Sequence, residues 1–244
     1  MRVGAAAPFD VSYAVSSTAA AAAVAAATSD ARWRPHDLLR LQCLRSFDDE
    51  LAWVRDAFAR APYAVVRRAL TADGFVAIGV RGDGRARRYG TWAHESDIVS
   101  VVAPESLVQA QPGGGRGVLP SFVALAALRS DARAPLAGFV WGPTGSTGFE
   151  LATNMPAVTE ASDLDLLIRT PEPLARDVAC VLFEQLQTVA ARVGIRIDAQ
   201  LETPAGGIAL AEWAAGKARV LARHASGPYW IADPWASTAH GGAA

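Results

Sequence analysis

The chain has 244 residues, 51% of them hydrophobic and 19% charged, with a formal net charge of −1. That is enough apolar material for one large domain or two small ones, and no apolar run approaches the roughly 18–20 residues that span a bilayer, so no membrane is expected as a partner. The two cysteines, Cys43 and Cys180, lack CxxC or Cys/His spacing, which argues against a disulfide framework or a zinc site; both read as buried small hydrophobes in a reducing cytoplasm.

In chain order, residues 1–31 stand apart. Ala19 to Ala27 is alanine throughout except Val24, without the basic start and bulky apolar centre of a signal peptide. The segment reads as a disordered leader, with a cleaved export signal as the rival reading. Asp48 to Arg60 then predicts a helix with Leu51, Val54 and Phe58 on one face. His36 or Asp37, in Arg34-Pro-His-Asp, reads as a helix cap. Tyr63 to Arg68 and Phe75 to Arg81 predict strands bounded by Pro62, Asp73-Gly74 and Gly82-Asp-Gly84. Charge is uneven: residues 32–88 carry 12 Arg against 7 acids, and residues 89–244 carry 10 Lys and Arg against 15 acids. The basic part should meet whatever is anionic in a ligand. The plainer reading is that arginine simply replaces lysine on the surface, Lys217 being the single lysine.

The segment 109–117, with three consecutive glycines after a proline, predicts a linker between a domain at 32–108 and one at 118–240. Beyond it, Ser121 to Arg129 predicts a helix, Gly138 to Gly142 a short strand, and Thr144 to Thr153 a turn leading into a short helix. Leu164 to Arg169 predicts a strand. Leu174 to Val193 predicts a long amphipathic helix with Val178, Leu182, Leu186 and Val189 in register. Ile195 to Glu202 alternates apolar and polar, and Gly206-Gly207 is expected to turn the chain toward Ile208 to Trp213. The order of elements predicts an α/β (α+β) chain: a small mixed sheet covered by helices, preceded by a smaller α+β domain.

Three features carry chemistry. In Ser162-Asp-Leu-Asp-Leu-Leu-Ile-Arg169, the strand period puts Asp163 and Asp165 on one face and Leu164 and Leu166 on the other. Two carboxylates side by side repel, and no arginine adjoins them in sequence, so the pair calls for Mg²⁺ or Mn²⁺, which prefer oxygen ligands and bind phosphate. A solvated strand end is the bland alternative. Trp141-Gly-Pro-Thr-Gly-Ser-Thr-Gly148 follows a short strand and opens a helix, so the backbone of Thr144, Gly145, Ser146 and Gly148 could cradle a polyphosphate. On the strand from Ile195, Asp198 is the expected third carboxylate and Glu202 the reserve, an edge strand facing water being almost as good a reading. The cluster Arg81, Arg85, Arg87 and Arg88 is the candidate surface for recognising a partner or the donor phosphates.

Together these features resemble the nucleotidyltransferase superfamily, whose pattern is Gly-Ser, a short helix, Asp-x-Asp on a strand and a later acid. More closely, the chain resembles the phosphoribosyl-dephospho-CoA transferase family, the holo-acyl-carrier-protein synthases of malonate decarboxylase. The resemblance rests on Arg34-Pro-His-Asp-Leu-Leu, Val65-Val-Arg-Arg-Ala, Ala77-Ile-Gly-Val-Arg-Gly, Trp141 to Ala152, Ser162 to Arg169, Thr203 to Trp213 and Asp233-Pro-Trp235. It spans residues 32–236 and leaves out the alanine-rich segment. It implies a nucleotidyltransferase-type sheet and a triphosphoribosyl-dephospho-CoA donor that gives up pyrophosphate. The implied acceptor is a serine of the acyl carrier protein subunit of malonate decarboxylase, with no nucleic-acid polymer as partner. Acyl carriers are generally acidic, which suits the basic 32–88 part. The rival readings are the same catalysis on another small-molecule or protein hydroxyl, and a catalytically inactive nucleotide-binding module.

Overall fold

The computed structural model describes residues 3–4, 32–47, 50–84, 87–130 and 136–236. The chain divides into two compact units, Met1–Val102 and Ala103–Ala244.

The first unit is a six-stranded sheet in the order β1-β5-β4-β3-β2-β6 with one α-helix among the described residues. Its strands are β1 (Val3–Gly4), β2 (Leu38–Leu41), β3 (Tyr63–Val66), β4 (Phe75–Arg81), β5 (Arg88–His94) and β6 (Ile98–Val102). The helix α1 (Ala52–Arg60) buries Val54 and Ala57, and Leu39, Ile78, Val80 and Tyr89 belong to the same core. Leu51 and Phe58 pack on its margin, as their helical spacing predicts. The β4–β5 hairpin is the longest pairing of this sheet, in register from Phe75 opposite His94 to Arg81 opposite Arg88.

Several expectations change here. Arg34-Pro-His-Asp does not open a helix: Asp37 accepts from the Arg34 amide at 3.0 Å and closes a turn that feeds β2. Asp is equally good at capping turns, so the local signal was real and the element wrong. Val3–Gly4 pairs in parallel with Tyr89 and Gly90 of β5; residues 5–31, which include the alanine-rich stretch, lie outside the described residues. The described helix α1 begins at Ala52, and residues 48–49, in the expected first turn, also lie outside them.

The second unit is a mixed six-stranded sheet in the order β12-β11-β10-β9-β8-β7. Its strands are β7 (Val140–Pro143), β8 (Leu164–Arg169), β9 (Ile197–Thr203), β10 (Gly206–Ala209), β11 (Val220–His224) and β12 (Gly227–Ile231). Its helices are α2 (Pro120–Ser130), α3 (Gly145–Thr153), α4 (Arg176–Val193) and α5 (Leu210–Ala214). Only β8 and β9 run parallel, so they need the long crossover that α4 supplies. Leu164, Leu166, Ile168, Ile197 and Leu201 form the buried face of that pair. Trp141 and Trp213 are core residues. Trp213 meets Trp235 edge-on at 5.1 Å, and Trp235 donates from its indole to the Thr170 carbonyl at 2.7 Å.

The division of the chain falls at Val102/Ala103, before the glycine run, and the run lies inside the second unit. The turn Pro104–Leu107 packs so close to β7 that a side chain on Gly142 would meet the Pro104 carbonyl at 2.0 Å. The buried stripe of α4 is Ala179, Leu182, Leu186 and Ala190, and Val178 is exposed. Two of the four are alanines, which a hydrophobic pattern underweights. Cys43 and Cys180 are both exposed, against the expectation of burial; Cys180 lies beside the buried stripe, within 3.1 Å of the Ala214 carbonyl. Gly206 and Gly207 lie inside β10, and the turn is Pro204-Ala205, closed by the Thr203 hydroxyl on the Gly206 carbonyl at 2.8 Å. Among the described residues no helix is long and apolar enough to cross a membrane.

Candidate active site

The site is built at the amino-terminal end of β8. Asp163 directly precedes the strand and Asp165 is its second residue. With a two-residue repeat, the carboxylates share a face while Leu164 and Leu166 are fully buried on the other. The parallel register sets Asp198 of β9 beside Asp165, with Glu202 further along beside Arg169. The structure therefore brings Asp163, Asp165 and Asp198 to one edge of one sheet face, and leaves Glu202 four residues down the strand.

The glycine turn meets this edge. The Thr144 amide donates to the Asp165 carbonyl at 2.8 Å, tying the start of α3 to β8. Gly145 has φ +60°, and a β-carbon there would sit 2.0 Å from Oδ2 of Asp165. Glycine is required twice over, for the left-handed backbone and for the room that the carboxylate occupies. Gly148 is required for a third contact, since a side chain would reach within 2.4 Å of the Pro143 carbonyl. The first helical hydrogen bond of α3 runs from the Gly148 amide to the Thr144 carbonyl at 2.9 Å, and the Thr144 side chain does not cap the helix. The amides of residues 145–147 thus precede the hydrogen-bonded turns of α3. They and the positive end of the helix face the region of Asp165, where an anion is favoured. Ser146 is 9% exposed and Thr147 fully buried, while Gly145 at the start of the turn is exposed.

Two residues that carry no motif hold this arrangement together. Glu150, on α3, is buried and accepts from the Arg116 guanidinium and from the amides of Ala157 at 2.7 Å and Val158 at 2.8 Å. Arg116 also donates to the Val158 carbonyl at 2.7 Å. Burial works against the charge on Glu150, but the Arg116 hydrogen bond and the two amides outweigh it and hold the carboxyl below its ordinary range. The clamp joins α3 to the loop that delivers Asp163. The sequence signal was an acid in the middle of an otherwise small and apolar helix, Gly-Ser-Thr-Gly-Phe-Glu-Leu-Ala-Thr.

The acidic edge contains its own cation. Arg196, one residue before β9, places Nη2 at 2.7 Å from Oδ2 of Asp163 and 2.8 Å from Oδ2 of Asp198. No arginine adjoins the pair in sequence, but Arg196 stands beside it in space through the parallel pairing of β8 with β9. Among the described residues no three acid, histidine or cysteine side chains stand ready to hold a metal ion. Arg196 is shared between Asp163 and Asp198, and Asp198 is the more exposed of the two. Asp163 and Asp165, both partly buried, present hard oxygens beside the turn at Gly145. They fit Mg²⁺, which is commonly bound through one or two carboxylates together with substrate phosphates.

The arginines of the first unit are distributed as follows. Arg81 and Arg88 stand directly opposite each other at the end of the β4–β5 hairpin. Arg88 also donates to the carbonyls of Gly84 at 3.2 Å and Arg87 at 3.1 Å. Arg87 is exposed, and Arg85 lies outside the described residues. The acid of the turn, Asp83, pairs with Arg60 at 2.9 Å, so it subtracts little from the local positive charge.

Residues 116–234 match the sequence profile of the phosphoribosyl-dephospho-CoA transferase MdcG C-terminal domain, and residues 34–104 that of the corresponding N-terminal domain. A phosphoribosyl-dephospho-CoA transferase of Azotobacter vinelandii is 42% identical over 211 residues, 84% of this chain and 96% of that protein. Relatives bearing the same name in Pseudomonas putida strain W619 and Pseudomonas aeruginosa PAO1 are 44% and 43% identical over 204 residues, with 95% and 93% of their lengths covered. No solved structure matches the chain. The two profiles meet the two structural units, the similarity runs through both, and the chain belongs to the phosphoribosyl-dephospho-CoA transferase family.

Proposed function

We propose that this transferase moves the phosphoribosyl-dephospho-CoA group from triphosphoribosyl-dephospho-CoA to a serine of the malonate decarboxylase acyl carrier protein subunit, releasing pyrophosphate. The observation that carries the reading is the seating of Asp165 against the side-chain-less Gly145, which puts a carboxylate pair and a helix amino terminus at one point. In the reaction the serine oxygen bonds to the innermost phosphorus of the donor triphosphate. The bond from that phosphorus to the bridging oxygen breaks, pyrophosphate leaves with its electron pair, and the serine proton is lost.

The chain's own residues divide this work. The amides at 145–147 bind and orient the polyphosphate from one side. Asp163 and Asp165 would hold Mg²⁺ or Mn²⁺, which when bound neutralises charge on the phosphates and the leaving pyrophosphate. Asp198, beside Asp165, is assigned to receive the serine proton; its partner Arg196 supplies positive charge at the same edge. The arginines around 81–88 serve recognition of an acidic carrier. The exposed free thiols of Cys43 and Cys180 suit a reducing compartment, and we place the enzyme in the cytoplasm.

The deciding experiment incubates the enzyme with donor and the apo carrier subunit and measures the carrier's mass. The expected result is one added phosphoribosyl-dephospho-CoA group, lost on exhaustive chelation and restored by Mg²⁺ or Mn²⁺. Pyrophosphate release with an unmodified carrier would move the reaction to another acceptor. Full transfer after chelation would remove the metal from the reading.

A further inference from the structure

Arg196 stands where the charge balance of the site has to change during turnover. One nitrogen of its guanidinium serves two carboxylates, Asp163 at 2.7 Å and Asp198 at 2.8 Å. Asp163 is also half of the carboxylate pair that the proposed reaction assigns to the metal, so a guanidinium and a divalent ion compete for the same oxygens. The two partners differ in what holds them. Asp163 is 17% exposed and anchored beside a buried strand, whereas the Arg196 side chain, on the residue before β9, is 64% exposed. A planar guanidinium that leaves a carboxylate finds its best alternative in phosphate oxygens, which match its fork of donors.

We propose that Arg196 is a two-position residue. In the free enzyme it bridges Asp163 and Asp198, keeping like charges together. When donor and metal arrive it exchanges those carboxylates for the donor's polyphosphate and releases Asp198. The inference rests on the metal-dependent transfer proposed above, but its test can be separated from it.

Mn²⁺ binding is titrated calorimetrically on the full-length enzyme without donor, for the parent, Arg196→Gln and Arg196→Lys. Removing the competing guanidinium is expected to tighten Mn²⁺ at least fivefold in Arg196→Gln, with Arg196→Lys in between. In turnover, Arg196→Gln should raise KM for the donor at least tenfold while KM for the carrier stays near the parent value, and Arg196→Lys should recover part of that loss. Equal or weaker Mn²⁺ binding by Arg196→Gln, or none by either protein, overturns the exchange. Chelation of the parent enzyme during turnover decides the metal reading on its own. Metal-dependent turnover with unchanged Mn²⁺ affinity in the variant therefore removes Arg196's exchange and leaves the reaction standing. Circular dichroism of each variant keeps a folding defect from being read as either.

Discussion

Asp165 and Gly145 form a lock in which each residue explains the other. The carboxylate lies in the space that any side chain at 145 would take, and the left-handed backbone at φ +60° costs an alanine about 1–2 kcal/mol. Gly145→Ala is therefore expected to lower the melting temperature by a few degrees and to cut transfer at least tenfold by displacing Asp165. Thermal unfolding and turnover measured on the same preparation check this; a melting shift without a rate loss would mean that Asp165 is not used where it sits. Asp163→Asn and Asp165→Asn keep the shape and remove the charge that phosphoryl transfer needs from the pair. Each should remain folded and retain less than about a tenth of parent transfer. A variant above that level would end the assignment of its residue.

At the scale of elements, helix α3 is set by more than its glycines. The buried Glu150 binds Arg116 from the glycine-rich segment and two amides of the loop before β8, so one side chain fixes both approaches to the catalytic edge. Replacing it leaves Arg116 without its carboxylate partner and two amides without an acceptor. Arg116 is about one-third exposed, so the cost of Glu150→Ala is placed at about 2–3 kcal/mol, below that of a fully buried pair. The folded carboxyl titrates below its ordinary range, so its stabilisation is complete above the unfolded value and is lost as pH falls through the folded one. Denaturant titrations of parent and Glu150→Gln should thus differ most near neutral pH and converge in acid. A gap that widened on acidification would contradict the clamp.

For the whole molecule the uneven charge is the property to test. The excess arginine belongs to the first unit and the acidic edge to the second, so carrier recognition and chemistry are expected to separate in kinetics. Neutralising Arg81, Arg85, Arg87 and Arg88 together should raise KM for the carrier and flatten its dependence on salt, while turnover at saturation stays near that of the parent. The reason is that exposed charges act mainly on association and are screened beyond about 8 Å at physiological ionic strength. A change confined to KM for the donor would move these side chains to the triphosphate. No change in either would leave Arg81 and Arg88, opposite each other on the hairpin, as an ordinary solvated face.

What was legible in the sequence was what short-range periodicity encodes. The two-residue repeat put Asp163 and Asp165 on one face, the turn chemistry of residues 141–148 marked a loop entering a helix, and β8 was bounded correctly at Leu164 and Arg169. The glycine run, which reads as a tether, lies inside the second unit, and the close contact of Gly142 with Pro104 is invisible before folding. The strands β2, β5, β6, β11 and β12 gave no clear signal, since strands take much of their stability from partners across the sheet. Arg196, Glu150 and Arg116 were out of reach for the same reason. Their roles depend on which strands lie parallel and on which loop returns to which helix, and only the tertiary structure brings residues 163, 196 and 198, or 116, 150 and 158, within hydrogen-bonding distance.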